Sequence, residues 1–207
     1  MDPTTVKLLA TVYSMRREIK ILLLTIVGIS LVPILTVILL TQAGLDFVSG
    51  ALATRNPQIA QVDIHDPTTG AVIDRVTEPV IWPVSGPVSL EFGQLSPYQL
   101  FHTGIDIAGV AGEKGAPISA FMKGRVIYAG SDSFGFGTHV IIDHGHYVTS
   151  LYGHLETLRV ICGQEVEIGA IIGTLGNTGW STGPHLHFQI NVFNIPVNPR
   201  TFLIDNP

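Results

Sequence analysis

Hydrophobic and polar positions fall into two regimes along the chain. Across residues 21–40 nothing is charged and most side chains are apolar, and the first charge beyond Lys20 is Asp46. A helix of that length rises about 30 Å, the thickness of a bilayer's hydrocarbon core. The run predicts one transmembrane α-helix over 21–40. Gly28 and Pro33 interrupt it, which transmembrane helices tolerate, and Pro33 predicts a kink. Arg16, Arg17 and Lys20 crowd the near flank, whereas Thr41, Gln42 and Asp46 give the far flank no positive charge. The positive-inside rule then leaves the short segment 1–20 in the cytoplasm and exports everything after Leu40. A cleaved signal peptide would have an apolar core of about 7–15 residues. The small residues suited to cleavage, Ala51 and Ala53, also lie well past the run. A retained anchor in the cytoplasmic membrane is the favoured reading, and both readings export the remainder.

Beyond the run the texture changes. Residues 41–80 are rich in Thr, Gln, Pro and Asp with little periodicity, which reads as a linker. Asp66-Pro67-Thr68-Thr69-Gly70 is turn chemistry between two β-prone stretches, 61–64 and 71–76, so the linker either carries a small hairpin or is a plain tether. From Trp82 onward short β-prone runs alternate with glycines, at 88–92, 125–129, 139–143, 147–152, 171–175 and 185–192. No long amphipathic helix separates them. The region 81–207 therefore predicts an all-β domain, a compact two-sheet or barrel-like structure. Residues 163–169 followed by 171–173 read as two strands joined by a tight turn.

Composition narrows the function classes. The net charge is −5, from 11 Lys and Arg against 16 Asp and Glu, so no basic face points to nucleic acid. Cys162 is the one cysteine, so no internal disulfide can form, and an exported domain must be held by its core or by a metal. Cys162 itself reads as an ordinary small residue.

Three clusters carry candidate chemistry. His102-Thr103-Gly104-Ile105-Asp106 sets an imidazole and a carboxylate four apart. Tyr152-Gly153-His154-Leu155 offers a second imidazole at the end of a β-prone run, and Pro184-His185-Leu186-His187-Phe188 offers two more, two apart. Residues two apart on a strand share a face, so His185 and His187 would point into one cleft while Leu186 and Phe188 face the core. Zinc suits such a set: it takes imidazole nitrogen and carboxylate oxygen, and catalytic sites use three protein ligands with an open fourth position. Two His and one Asp would supply the ligands, with two further His for proton chemistry. Without a cysteine pair a closed structural zinc site is disfavoured, and the helical His-Glu-x-x-His pattern is absent. Each cluster alone is weak, since a lone His-x-His is more often a satisfied surface pair. Five such groups in one small Gly-rich β domain shift the balance.

At these residues, from about Trp82 to Leu203, the chain closely resembles the lysostaphin-type (LytM-like) zinc metalloendopeptidases. The landmarks are Phe92-Gly93, Phe101 through Ala108, Tyr152-Gly153-His154-Leu155, Gly176-Asn177-Thr178-Gly179 and, most specific, Ser181-Thr182-Gly183-Pro184-His185-Leu186-His187-Phe188. The resemblance implies a two-sheet β fold built as a duplicated hybrid motif, with a groove across one sheet. It implies that His102, Asp106 and His187 hold one Zn2+ per domain, with His154 and His185 as catalytic residues beside the metal-bound water. It also implies a substrate, the peptide stems or bridges of bacterial peptidoglycan, cut on the outer side of the membrane. His146 is an imidazole additional to the pattern.

Other readings remain in play. A member of this family could grip peptidoglycan or activate another hydrolase without cutting, although such domains usually lose ligands and none is lost here. A component of an envelope or secretion machine is compatible with the anchor and with activity. A carrier domain would need a modifiable lysine at a turn, and Lys114 and Lys123 lack that context. His139 and His144 read as structural, His65 as a solvated linker residue, and Tyr98 and Trp180 equally as groove lining or packing.

Overall fold

The computed structural model describes residues 2–56, 59, 61–96, 98–109 and 113–204. The chain divides into two compact units, Met1–Ala43 and Gly44–Pro207.

The first unit is helical. The helix α1 (Pro3–Leu52) runs through both Gly28 and Pro33 without a break, and its apolar stretch is long enough to cross a membrane. Leu22, Leu24, Ile29 and Val32 stand exposed, as lipid-facing side chains would. Hydroxyls along it are satisfied internally: Thr25, Ser30 and Thr36 each donate to the carbonyl four residues back at 2.8 Å. None of these three hydroxyls then needs water.

The second unit holds the last turns of α1 and, among the described residues, fourteen strands. A first antiparallel sheet is made by β1 (Ala53–Asn56), β2 (Gln61–His65) and β3 (Val72–Val76) in the order β1-β2-β3. The main sheet orders β11 (Glu165–Val166), β7 (Gly124–Ser131), β8 (Thr138–Asp143), β9 (Val148–Gly153), β13 (His185–Val192), β5 (Ile105–Ala108) and β4 (Val88–Leu90), with β14 (Ile195–Val197) also paired to β13. A small third sheet pairs β10 (Thr157–Leu158), β12 (Ile171–Thr174) and β6 (Pro117–Ser119). The all-β expectation holds, and 185–192 is a strand over the span the pattern gave.

Residues 163–173 form two strands joined by a tight turn, as expected, the turn closed by Ala170 N–H to the Glu167 carbonyl at 3.1 Å, with β11 paired to β7 and β12 to β6 in different sheets. The turn is also tied to the loop after β6: Gly169 N–H donates to the Ala120 carbonyl, and Ala120 N–H to that of Ala170, both at 2.9 Å. The segment read as a linker is built into the domain. Leu52, Ala53, Val62, Ile64 and Val76 belong to the same hydrophobic core as Ile105, Phe188 and Leu203. The Ser49 hydroxyl accepts from Asn198 N–H at 2.9 Å, and Arg55 donates to the Phe202 carbonyl at 2.8 Å. His65, half-buried, also closes the hairpin, 2.7 Å from the Thr54 hydroxyl and 3.1 Å from the Gly70 carbonyl. His146 clasps β3 from the β8–β9 turn, 3.1 Å from Asp74 and 3.3 Å from Glu78, and those carboxylates raise its pKa.

Aromatic rings fill the core under the main sheet. Phe188 meets Phe121 edge-on at 5.5 Å and Tyr152 at 5.3 Å. Behind them His144 is buried, its Nδ1 donating to the Lys123 carbonyl at 2.7 Å and its Nε2 2.7 Å from the Ser150 hydroxyl. Burial pushes its pKa down to about 4. The folded chain therefore refuses a proton that the unfolded chain accepts below about pH 6.5, and stability falls as pH drops from there to 4, by up to about 3 kcal/mol. The substitution His144→Gln should cost about 1–2 kcal/mol at pH 7 yet remove this share of the acid sensitivity. Urea unfolding of both proteins at pH 7, 5.5 and 4 measures the difference.

Candidate metal centre

The site is assembled by strand register. On β13, His185, His187, Gln189 and Asn191 occupy one face, while Leu186, Phe188, Ile190 and Val192 are buried on the other. Antiparallel pairing sets His187 opposite Asp106 on β5 and opposite Gly153 on β9. Directly opposed residues share a face, so the carboxylate stands beside the imidazole, and Gly153 leaves room on the other side. A Cβ there would sit 3.3 Å from that of His187.

His102 enters from the loop before β5, fixed by Gly93 N–H to its carbonyl and by its own N–H to that of Gln94, both at 2.8 Å. That loop comes very close to β13 at Gly104, where a Cβ would lie 2.3 Å from the Phe188 carbonyl oxygen, so glycine is required. Three donor atoms then converge. His102 Nε2 lies 2.9 Å from Asp106 Oδ1 and 2.9 Å from His187 Nδ1, and His187 Nδ1 lies 3.1 Å from Asp106 Oδ1.

These separations suit a shared cation. Ligand atoms about 2.0–2.1 Å from a tetrahedral zinc stand roughly 3.3 Å apart. The donor chemistry, two imidazoles and one carboxylate, is also that of zinc. Each outward ring nitrogen has an acceptor: His102 Nδ1 the Glu91 carbonyl at 3.3 Å, and His187 Nε2 the Gln189 Oε1 at 3.4 Å. Outer partners of this kind aim the remaining lone pair inward. Burial favours the neutral form of His187 and lowers its pKa. Burial disfavours the Asp106 carboxylate too, but hydrogen bonds from His102 and His187 outweigh that and hold its pKa well below the usual range. The cluster is therefore set to present a neutral His187 imidazole beside one anion.

His154 and His185 flank this triad, their ring centroids 4.7 Å apart. His154 follows β9 in a left-handed conformation (φ 62°) and its Nδ1 donates to the Thr178 carbonyl at 2.7 Å, which leaves Nε2 as an acceptor. Burial, with repulsion from His185 and His187, pushes its pKa down to about 4. His185 Nδ1 donates to the Gly183 carbonyl at 2.8 Å, and its Nε2 is 3.5 Å from Asp106 Oδ2. All five residues singled out from sequence line one cleft of about 260 Å³. Tyr98 and Trp180 also line it, each about half exposed, with ring centroids 6.0 Å apart. His139 lies outside the cleft lining, stacked on Tyr128 at 4.4 Å. Sequence reasoning overlooked Phe136, whose ring is 5.1 Å from His187, and Gln189. The period-two pattern of β13 held the signal for Gln189.

A β-sheet domain that sets two imidazoles and a carboxylate together on one face, as a metal site would need them, defines the structural class. The chain belongs to peptidase family M23, whose sequence pattern residues 100–199 match. It is 41% identical over 122 residues to the murein hydrolase activator NlpD of Escherichia coli, covering 59% of this chain and 30% of that one. It is 34% identical over 131 residues to the DD-carboxypeptidase/endopeptidase Mpg of Neisseria meningitidis, covering 63% and 29%. The chain spans about a third of the length of the curated relatives it matches. The solved catalytic domain of the prophage-encoded M23 protein EnpA from Enterococcus faecalis, in a point-mutant form, is 34% identical, with a TM-score of 0.51 over 60% of this chain and 96% of that one.

The cluster should bind one zinc ion per chain in a chelator-competition titration. His102→Ala and Asp106→Ala should each weaken that binding by about 100-fold or more, since loss of one of three protein ligands leaves an incomplete site.

Proposed function

We propose that this protein is a zinc-dependent endopeptidase that hydrolyses peptide cross-links or bridges of bacterial peptidoglycan, tethered to the cytoplasmic membrane by its N-terminal helix with the β domain on the outer side. The observation that carries this reading is the convergence of His102, Asp106 and His187 within 3.1 Å of one another beside two further imidazoles. In this reading residues 1–20 are cytoplasmic, 21–40 cross the membrane, and the domain extends from the juxtamembrane segment through 207.

Zinc held there would supply Lewis acidity toward the scissile carbonyl and lower the pKa of water. His154, uncharged at neutral pH with its Nδ1–H tied to Thr178, offers Nε2 to take a proton from the attacking water. His185, tied to Gly183 through Nδ1, stands beside His154, ring centroids 4.7 Å apart, and can help orient the water, while the proton that His154 takes passes on to the leaving amine. Phe136 covers one side of His187 and excludes water from it. The half-exposed rings of Tyr98 and Trp180 give the cleft a rim against which a short peptide can lie flat.

A second reading draws on the relative named as a murein hydrolase activator: the domain binds peptidoglycan or a separate hydrolase and does not cut. The full chain in detergent, incubated with purified sacculi and followed by mass spectrometry of released fragments, separates the two. Peptide-bond cleavage is expected from the wild type. His154→Ala should retain zinc and lose about 10²–10⁴ in turnover, the usual contribution of a general base. Zinc-loaded wild type that releases nothing, yet speeds a separate murein hydrolase, would replace the first reading with the second.

A further inference from the structure

The polar face of β13 continues past the two histidines into Gln189, the acceptor at His187 Nε2, and Asn191, which the chemistry above does not use. Gln189 is only 7% exposed. Its Oε1 accepts from the Thr103 hydroxyl at 2.6 Å and lies 3.4 Å from His187 Nε2. Its Nε2 donates to Asn191 Oδ1 at 2.7 Å, and Asn191 Nδ2 donates to the Thr149 hydroxyl at 3.2 Å. The result is a hydrogen-bonded ladder from His187 along β13, braced by Thr103 from the β5 side and Thr149 from β9.

A carboxamide presents an acceptor on one side and donors on the other, so its orientation is a choice of two. Here Thr103 donates to the oxygen and Asn191 accepts from the nitrogen, and the oxygen is turned toward His187. An oxygen there pairs only with a protonated Nε2. A neutral imidazole protonated on Nε2 carries its lone pair on Nδ1, the atom 2.9 Å from His102 Nε2 and 3.1 Å from Asp106 Oδ1. The reversed carboxamide would favour the other tautomer and aim an N–H into the cluster, where it repels a cation. Gln189 also does this without adding charge, so Asp106 remains the one anion among the three clustered groups.

We propose that Gln189, oriented by Thr103 and Asn191, is a positioning residue that fixes the tautomer and ring plane of His187 so that Nδ1 is free to bind the metal. This rests on the metal-centre reading above, and it adds two residues, Gln189 and Thr103, to what sets metal affinity. Loss of an outer partner of this kind typically weakens metal binding 10–100-fold.

The test measures zinc affinity of the full chain in detergent by competition with a chromophoric chelator, for wild type, Gln189→Leu, Gln189→Glu and Thr103→Val. Gln189→Leu should bind zinc about 10–100-fold more weakly. Thr103→Val, which removes one hydroxyl at nearly constant volume, should weaken binding by a smaller factor. Gln189→Glu keeps an acceptor toward Nε2 and should bind at least as tightly as wild type. Histidine ¹⁵N spectra of the zinc-loaded wild type should show His187 protonated on Nε2. A merely structural role would move none of these in that order. Wild-type affinity in both Gln189→Leu and Thr103→Val overturns the proposal, and so does a Gln189→Glu protein as impaired as Gln189→Leu. If Gln189→Leu does not fold, the other two variants and the spectrum decide. A wild-type chain that takes up no zinc overturns the metal reading itself, a result distinct from zinc binding that ignores Gln189.

Discussion

The antiparallel register of β13 between β5 and β9 is the constraint on which the site depends. With His187 opposite Asp106 on one side and Gly153 on the other, an imidazole and a carboxylate meet with space for the ring. A slip of β13 by one residue would send His185 and His187 to the core face, away from Asp106 on β5, and bring Leu186 and Phe188 into the cleft. The slip is resisted because that second face is completely buried among Phe121, Tyr152 and Ile105. Hydrophobic packing on one side of the strand therefore holds the metal-type cluster on the other.

Around that strand, the remaining pieces are held by backbone hydrogen bonds rather than by further metal-type groups. His102 is placed by a pair of main-chain bonds to Gly93 and Gln94, His154 by its N–H to the Phe136 carbonyl and its ring to Thr178, and His185 by its ring to Gly183. Such bonds fix which ring nitrogen looks inward. Two imidazoles of the triad present opposite nitrogens, Nε2 from His102 and Nδ1 from His187, because their outward partners differ. The electrostatics follow: burial keeps His187 and His154 neutral, while donors to Asp106 keep it anionic.

The segment that follows the apolar run changes the picture of how the domain is built. The described residues 44–56 and 61–76 are folded with the β domain, through Ser49, Leu52, Arg55 and the clasp of His146 on Asp74 and Glu78. The short strands β1–β3 could not stand alone, since a small sheet needs a face to bury. They find it on the C-terminal segment near Phe202 and Leu203, to which Arg55 is hydrogen-bonded. Composition rich in Thr, Gln, Pro and Asp reads as a tether because that burial is supplied by residues well over a hundred positions away.

What the sequence determined by itself were features of short range. The apolar run fixed a helix able to cross a membrane, period-two alternation fixed β13 and which of its faces is polar, and the spacing of His102, Asp106, His154, His185 and His187 marked the residues that share the cleft. What only the tertiary structure decided were pairings between distant segments. These include β11 and β12 joining different sheets, the hairpin joining the core, the nitrogen each histidine turns inward, and Gln189 held between Thr103 and Asn191. The reason is physical: periodicity is written by neighbours along one strand, whereas register, burial and tautomer are set by whichever strand or loop arrives from elsewhere to offer a donor, an acceptor or an apolar face.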